Sequence, residues 1–236
     1  MIVNFISNIL ELKKKESLVD PAAFNDPLAL KIDWTPLAPG GASFRTHKAV
    51  MISTTRIEFK STFLNLLFPL LALFVPLLIL IAAYISGDLP FLLKPQTAKH
   101  YAMLASCILF VLAGVIVAWH VRKAIVFDRA ANAFWKGRRR AQMVPGPEEI
   151  PNSVPLPDIY ALQVIPEKIM GTGDHGSTYT SFELNLVRKS GERVNVIDHG
   201  NKKRLLEDAQ MIAQFLNIPV WDAGPLEKDH LQEVSN

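Results

Sequence analysis

FLNLLFPLLALFVPLLILIAAYI, residues 63–85, and YAMLASCILFVLAGVIVAW, residues 101–119, decide how this chain is read. Neither contains Asp, Glu, Lys or Arg, and the only strongly polar side chain in the first is Asn65. Both runs exceed the roughly 18 apolar residues that separate a membrane span from a buried core helix. Hydrocarbon offers no water to backbone N–H and C=O groups, so both runs are expected to be helical. Residues 63–120 therefore read as a transmembrane hairpin. Pro69 and Pro76 fall inside the first span, where membrane helices tolerate a kink. Proton relays and ion pathways usually need ionisable groups within the membrane, and their absence weighs against a pump or transporter. The single cysteine, Cys107, lies in the second span and reads as a small packing residue, with no disulfide open to it within the chain. The small residues Ala105, Ala113 and Gly114 would let helices approach closely, within the chain or between chains.

The flanks set an expected orientation. Arg45, Lys48, Arg56 and Lys60 precede the first span, and Arg122, Lys123, Arg129, Lys136, Arg138, Arg139 and Arg140 follow the second. The connecting loop has only Lys94 and Lys99, with Asp88 beside the first span. The positive-inside rule then expects a two-pass protein of the inner (cytoplasmic) membrane with both termini cytoplasmic. Tyr84, Tyr101 and Trp119 sit near span ends, where amphipathic rings favour the interface, and His120 follows at the same boundary. Net charge is only +3, but the basic residues crowd the spans while Asp222, Glu227, Asp229 and Glu233 make the C-terminal end acidic. Juxtamembrane cations suit anionic lipid headgroups and require no nucleic acid. Within FWKGRRR, Trp135, Lys136, Arg138, Arg139 and Arg140 are the candidates for binding lipid headgroups or a protein partner; the alternative is a solvated charge run after a strand.

Outside the spans the chain reads as one split domain with tails. Residues 1–16 place Ile2, Phe5, Ile6, Ile9, Leu10 and Leu12 at helical spacing. They are expected to form an amphipathic helix on the membrane surface, on the domain or on a partner, rather than a cleaved signal. Residues 17–42, with Pro21, Pro27, Pro36, Pro39 and Gly40-Gly41, read as a linker. Residues 43–53 and 56–61 alternate as two strands, and 123–129 and 133–138 as another pair joined by a turn built on Asp128 and Asn132. A Pro-rich loop is expected over 142–157. A strand over 158–165 should turn Tyr160, Leu162 and Val164 inward. Residues 179–188 set Phe182, Leu184 and Leu186 against Ser181, Glu183 and Asn185, and hairpin with 192–199, where Val194 and Val196 alternate with Asn195 and Ile197. Asn201 caps a helix over 202–216 with an apolar stripe of Leu205, Leu206, Ala209, Ile212, Ala213 and Leu216; Pro219 ends it, and 223–236 is a tail. This gives seven strands and a C-terminal helix.

That order, with the phrases FRTHK, FDRAANAFWKGRR, DIYALQ, FELNLV and VIDHGN, resembles a family of two-span bacterial membrane proteins with a pleckstrin-homology-like cytosolic domain, over residues 40–222. The resemblance implies an α+β membrane protein: a two-helix hairpin (63–120) inserted in an antiparallel β domain (43–62 and 121–222) closed by a C-terminal helix. It implies a location and a fold but no activity. Chemistry in the sequence is sparse. GTGDHG, residues 171–176, matches G-x-G-x-x-G but lacks the strand before and the helix after that a dinucleotide site needs. Asp174-His175 and Asp198-His199 could pair across loops, yet no nucleophile or third metal ligand stands at a suitable spacing. No catalytic residue, cofactor or metal is expected. The reading is a non-enzymatic protein presenting its domain to a protein partner or to lipid headgroups, with homo-oligomers open to it. The alternatives are an immunity protein neutralising a membrane-acting toxin and, third, a membrane-bound hydrolase using His175 and His199.

Overall fold

A computed structural model describes residues 19–90, 94, 96–121, 123–137, 153–170 and 178–224. The expected N-terminal helix (1–16), the glycine-rich turn (171–177), most of the Pro-rich loop and all but the first two residues of the tail lie outside the described residues. By contact the described chain divides into two units, one formed by residues up to Phe59, Ile125–Lys136 and 153 onward, the other by Lys60–Ala124 and Gly137.

The second unit holds helices α1 (Phe63–Ile85) and α2 (Ala98–Val121), both long and apolar enough to cross a membrane. The expected bounds of α1 are met; α2 begins three residues before Tyr101 and ends two after Trp119. Thr62 caps α1, its hydroxyl accepting from the Asn65 N–H. The buried residues of α1 are Asn65, Pro69, Pro76 and Ala83, which repeat at near-heptad spacing on one face. Both prolines thus lie on the buried stripe. On α2 a Cβ at Gly114 would stand 3.1 Å from the Leu73 side chain and 3.3 Å from the Ala72 Cβ, so glycine permits the close approach of the two helices. Each end of the hairpin is tied. Ser61 Oγ donates to Val121 O (3.0 Å) and accepts from Asn65 Nδ2 (3.1 Å). At the other end Asp88 accepts from Lys99 Nζ and Ser86 Oγ, and the buried His100 stands 3.6 Å from it.

The first unit holds nine strands among the described residues and one long helix. Strands β1 (His47–Ser53), β2 (Arg56–Ser61), β3 (Ile125–Asp128), β4 (Ala133–Lys136) and β5 (Ser153–Pro155) form a five-stranded sheet in that order. Strands β6 (Ile159–Met170), β7 (Thr178–Arg188), β8 (Arg193–His199) and β9 (Val220–Asp222) form a second, ordered β8-β7-β6-β9, in which β9 runs parallel to β6 and the other pairs are antiparallel. Ile57, Phe127 and Phe134 from one sheet meet Leu162, Leu184 and Leu186 from the other, all shielded from solvent. Helix α3 (Lys202–Leu216) closes the same core with Leu205, Ala209, Ile212 and Phe215. Asn201 accepts from the Arg204 N–H as its N-cap, and Asn217 in the left-handed region (φ 56°) ends it. The β3–β4 turn forms as its residues require: Asp128 Oδ1 accepts from the Ala130 and Ala131 N–H groups and Asn132 takes φ 50°.

Several expectations are corrected. Residues 153–155, assigned to a loop, are β5, paired with β4 through Phe134↔Val154. Val220–Asp222 is a further strand. Tyr160 does not join Leu162 and Val164: a bulge between Ile159 and Ala161 shifts the alternation, and Tyr160 packs on the opposite face with Ala161 and Ile165. Val196 and Ile197 both enter the main core because the β7–β8 register slips between Leu184 and Asn185. Ala223, at the start of the expected tail, is buried and donates its N–H to Val164 O.

The largest difference concerns the expected linker. Residues 19–42 lie across the outer face of the second sheet, where Ala29, Ile32 and Trp34 join Ala161, Ile165, Val187, Trp221 and Ala223 in a second core. Phe24 stacks on Trp34 at 5.0 Å, and Trp221 stands 6.3 Å from Trp34 and 5.9 Å from Tyr160. Trp34 Nε1 donates to Ala29 O, and Tyr160 Oη to Asp26. The segment has no periodicity because it buries separate side chains from an irregular path.

Replacing Gly114 with Leu is expected to destabilise the helical hairpin by about 1–3 kcal/mol, the usual cost of overpacking. Thermal melting of the detergent-solubilised chain, followed by helical circular dichroism, checks this; an unchanged midpoint would place the helix contact elsewhere.

Candidate functional site

The richest concentration of buried polar groups lies on the outer face of the β6–β7–β8 sheet. Cross-strand pairing sets Gln163 beside Asn185 and Asn185 beside Asn195, and sets Glu183 beside Asp198. Alternation turns these side chains away from the main core, yet Gln163 and Asn185 are fully buried and Glu183 is 1% exposed. Residues 33–46 cover them. The Glu183 carboxylate accepts from the N–H groups of Leu37 (2.9 Å) and Ala38 (2.7 Å) and from the Asn185 side-chain amide. Glu167 accepts from the Gly40 N–H through both oxygens (3.2 Å each). Tyr179 Oη donates to Gly41 O and Ser181 Oγ to Ala42 O. Gln163 Nε2 donates to Asp33 O, and Arg193 donates to Thr35 O and to the Asp33 carboxylate. A Cβ at Gly41 would come within 2.2 Å of Ser181 Oγ and 3.0 Å of Asp198 Cβ, so only glycine lets the segment lie this low.

Charge in this face is unbalanced. Burial, with Glu183 adding to it, pushes the Asp198 carboxyl up to about 6, against the opposing pull of the Asn195 amide and Lys136. Asn195 Nδ2 lies 3.1 Å and 3.3 Å from the two Asp198 oxygens, and its Oδ1 accepts from Lys136 Nζ at 2.8 Å. Arg193 is held below its ordinary value by burial, with Asp33 and Glu183 opposing that.

The neighbouring His199 points to the other side of β8 and is fully buried. Its Nδ1 accepts from the Asn201 N–H at 3.2 Å, and its Nε2 finds no hydrogen-bond partner among the described residues. Burial, then the nearby Arg45 and His47, lower its pKa to about 4, so the ring is neutral near pH 7. It sits at the start of α3 and supports the helix entry. Its proposed companion, His175, lies outside the described residues. Beside it, Arg45 donates to both oxygens of the buried Asp208 (2.8 and 2.9 Å), which also accepts from the Ala49 N–H. Among the described residues no group of three or more His, Cys, Asp or Glu side chains is placed to hold a metal ion.

The aromatic-basic candidates separate. Trp135 is buried in the β3–β4 ladder opposite Val126, with the Arg56 guanidinium 5.5 Å above its ring. Glu58 and Asp128 hold that guanidinium, at 2.7 and 3.1 Å. Lys136 is exposed and turned to Asn195. Trp135 therefore does not share an open surface with it. Arg138, Arg139 and Arg140 lie outside the described residues. Sequence reasoning missed the Glu183–Asp198 face. Its signal was a row of polar residues at matching positions of three adjacent strands, but nothing local marked the upstream segment that buries them. No family model matches this chain, and no curated protein matches it at a significant level.

Asp198 and His199 pull stability in opposite directions. The folded chain holds the Asp198 proton more tightly than its ordinary 3.8 allows, so that contribution is full below that value and is lost as pH rises through about 6. His199 is neutral in the fold, so its contribution is present above 6.5 and is lost as pH falls through about 4. The two offset each other over nearly the same window. Asp198→Asn is expected to leave His199 unopposed, so the unfolding midpoint of the domain should fall steadily as pH is lowered through that window. Denaturant titrations at stepped pH check this, and a profile as flat as the parent's would refute it.

Proposed function

We propose that the chain is a two-pass protein of the bacterial cytoplasmic membrane, with both termini cytoplasmic, which presents a pleckstrin-homology-like domain to lipid headgroups or to a protein partner and performs no catalysis. One observation carries this reading. Strands β2 and β3 pair directly, Arg56 with Asp128 and Glu58 with Val126, although the entire helical hairpin intervenes between them. The apolar hairpin thus occupies the place of a hairpin turn in the sheet. An anchor built into the sheet connection ties the β domain to the site of the spans through two chain crossings. Two sheets sharing a core closed by a C-terminal helix support the likeness to the pleckstrin-homology fold. The cationic flanks support the orientation. The side chains that could have supplied acid–base chemistry are engaged elsewhere: Glu183 binds backbone N–H groups, and His199 is buried against the helix start. Binding is assigned to Lys136 at the end of β4 and to Arg138, Arg139 and Arg140 in the sequence after it, with Trp135 bracing the strand from within.

Two measurements test it. Cys107, the sole cysteine, should resist a membrane-impermeant maleimide in intact membranes and react once detergent dissolves them, whereas Ser86→Cys should label from outside. Labelling of Cys107 in intact membranes would refute the spans. Crosslinking from native membranes should then return either a stoichiometric protein or anionic lipid. The Arg138/Arg139/Arg140→Ala variant should lower the yield of that adduct about tenfold or more, since each juxtamembrane cation contributes about 1 kcal/mol near an anionic surface. An undiminished yield would remove the basic segment from the binding role.

A further inference from the structure

We propose that residues 35–42 form a releasable latch over the outer face of the β6–β7–β8 sheet, and that ionisation of Asp198 beneath Gly41 opens it. The latch contributes no strand to either sheet. It is held by sheet side chains that bind its main chain: Arg193 at Thr35, Glu183 at Leu37 and Ala38, Glu167 at Gly40, Tyr179 at Gly41 and Ser181 at Ala42. Lifting it therefore breaks no strand ladder and leaves the main core intact. Its centre has little apolar anchorage, since the Leu37 side chain is 41% exposed. Its ends are fixed. Trp34 is buried in the second core on one side. On the other, Thr46 Oγ1 donates to Asp198 O, and Ser43 lies so close to Gly200 that a Cβ there would meet Ser43 O at 2.2 Å. The segment between can bow outward while both ends stay in place.

The driving force lies beneath it. Gly41 rests on the Asp198 and Ser181 side chains, burying Ser181 and leaving Asp198 half-buried. The groups facing Asp198 are Glu183 on β7, Glu167 on β6, Lys136 on β4, and Asn195 on its own strand; His199 lies on the opposite face of β8. Arg193 is already committed to Thr35 in the latch and to Asp33 before it. When Asp198 is protonated, the covered face carries the Glu183 and Glu167 charges, both engaged by latch N–H groups. When it ionises, a third carboxylate joins them with one amide and one lysine nearby, and water offers it better solvation than Gly41 does. Release admits that water.

Hydrogen exchange of the full chain in lipid nanodiscs, read by mass spectrometry and corrected for the intrinsic pH dependence of exchange, tests this without any partner. The protected amides to follow are Leu37, Ala38 and Gly40, against those of β6 and β7 as the internal reference. With Asp198 near 6 when covered and lower once water reaches it, the opening equilibrium should rise several-fold from about pH 5 to about pH 8, about tenfold being the ceiling set by the ordinary value of 3.8, while the reference stays protected. Asp198→Asn should hold latch opening constant over the same range. Should that variant fail to fold, the parent alone decides the matter, because the rise must level off above about pH 7, once Asp198 is ionised in both states. Equal latch protection at both pH values, opening only together with β7, or a pH dependence that survives in the Asn variant would each overturn the proposal.

Discussion

The N–H groups of Leu37 and Ala38 converge on a carboxylate that is almost wholly out of water, and the second sheet owes its closed outer face to that pair of bonds. A buried carboxylate without a cation costs several kcal/mol unless its lone pairs are filled by well-placed donors. Charge-assisted bonds from backbone N–H groups are among the strong ones, and Glu183 receives two, together with the Asn185 amide. The dependence runs both ways. Without the covering segment, Gln163, Asn185 and Glu183 would form an ordinary solvated face of an antiparallel sheet. Without Glu183, two partly buried N–H groups of the irregular segment would lose their acceptor.

The cover has two halves with different physics. Residues 19–34 are held by apolar area and aromatic contact, through Phe24, Trp34, Trp221 and Tyr160. Residues 35–42 are held by polar bonds to main chain. The first half is non-directional and tolerates rearrangement of its side chains. The second depends on distance and on the protonation state of its neighbours. Strand β9 links the halves, since Trp221 packs in the aromatic cluster while its strand pairs with β6 at Gln163. The three-residue strand after the last helix thus carries the aromatic side of the cover.

What the sequence made legible follows from periodicity. The two apolar runs and the stripe Leu205, Ala209, Ile212, Ala213 carry strong, uninterrupted signals, and α1 and α3 appear with the bounds their caps suggest. Thr62 and Asn201 are polar residues with free acceptors directly before apolar runs, and both cap. Short or interrupted signals fared worse. Ser153–Pro155 is three residues long and ends in proline, which reads as loop unless the partner strand is known. The bulge beside Tyr160 reverses a face, and alternation alone cannot register an extra residue. Trp135 stands next to a basic run in the chain, but its strand pairing turns it under Arg56. Hardest to read was the burial of Glu183. Alternation correctly puts it opposite Phe182, yet its cover arrives from residues some 145 positions earlier. No local pattern encodes a contact of that span.

Insertion of a helical hairpin between paired strands is physically inexpensive for a related reason. The entropy of closing a flexible loop grows only with the logarithm of its length. A hairpin also returns the chain to its starting point without relying on that closure, because two antiparallel helices of equal length begin and end side by side. Here α1 and α2 differ by a single residue, 23 against 24, and Ser61 Oγ meets Val121 O where the chain leaves and re-enters. Strand β3 can then pair with β2 as though a short turn joined them, and Arg56 closes the register by reaching Asp128.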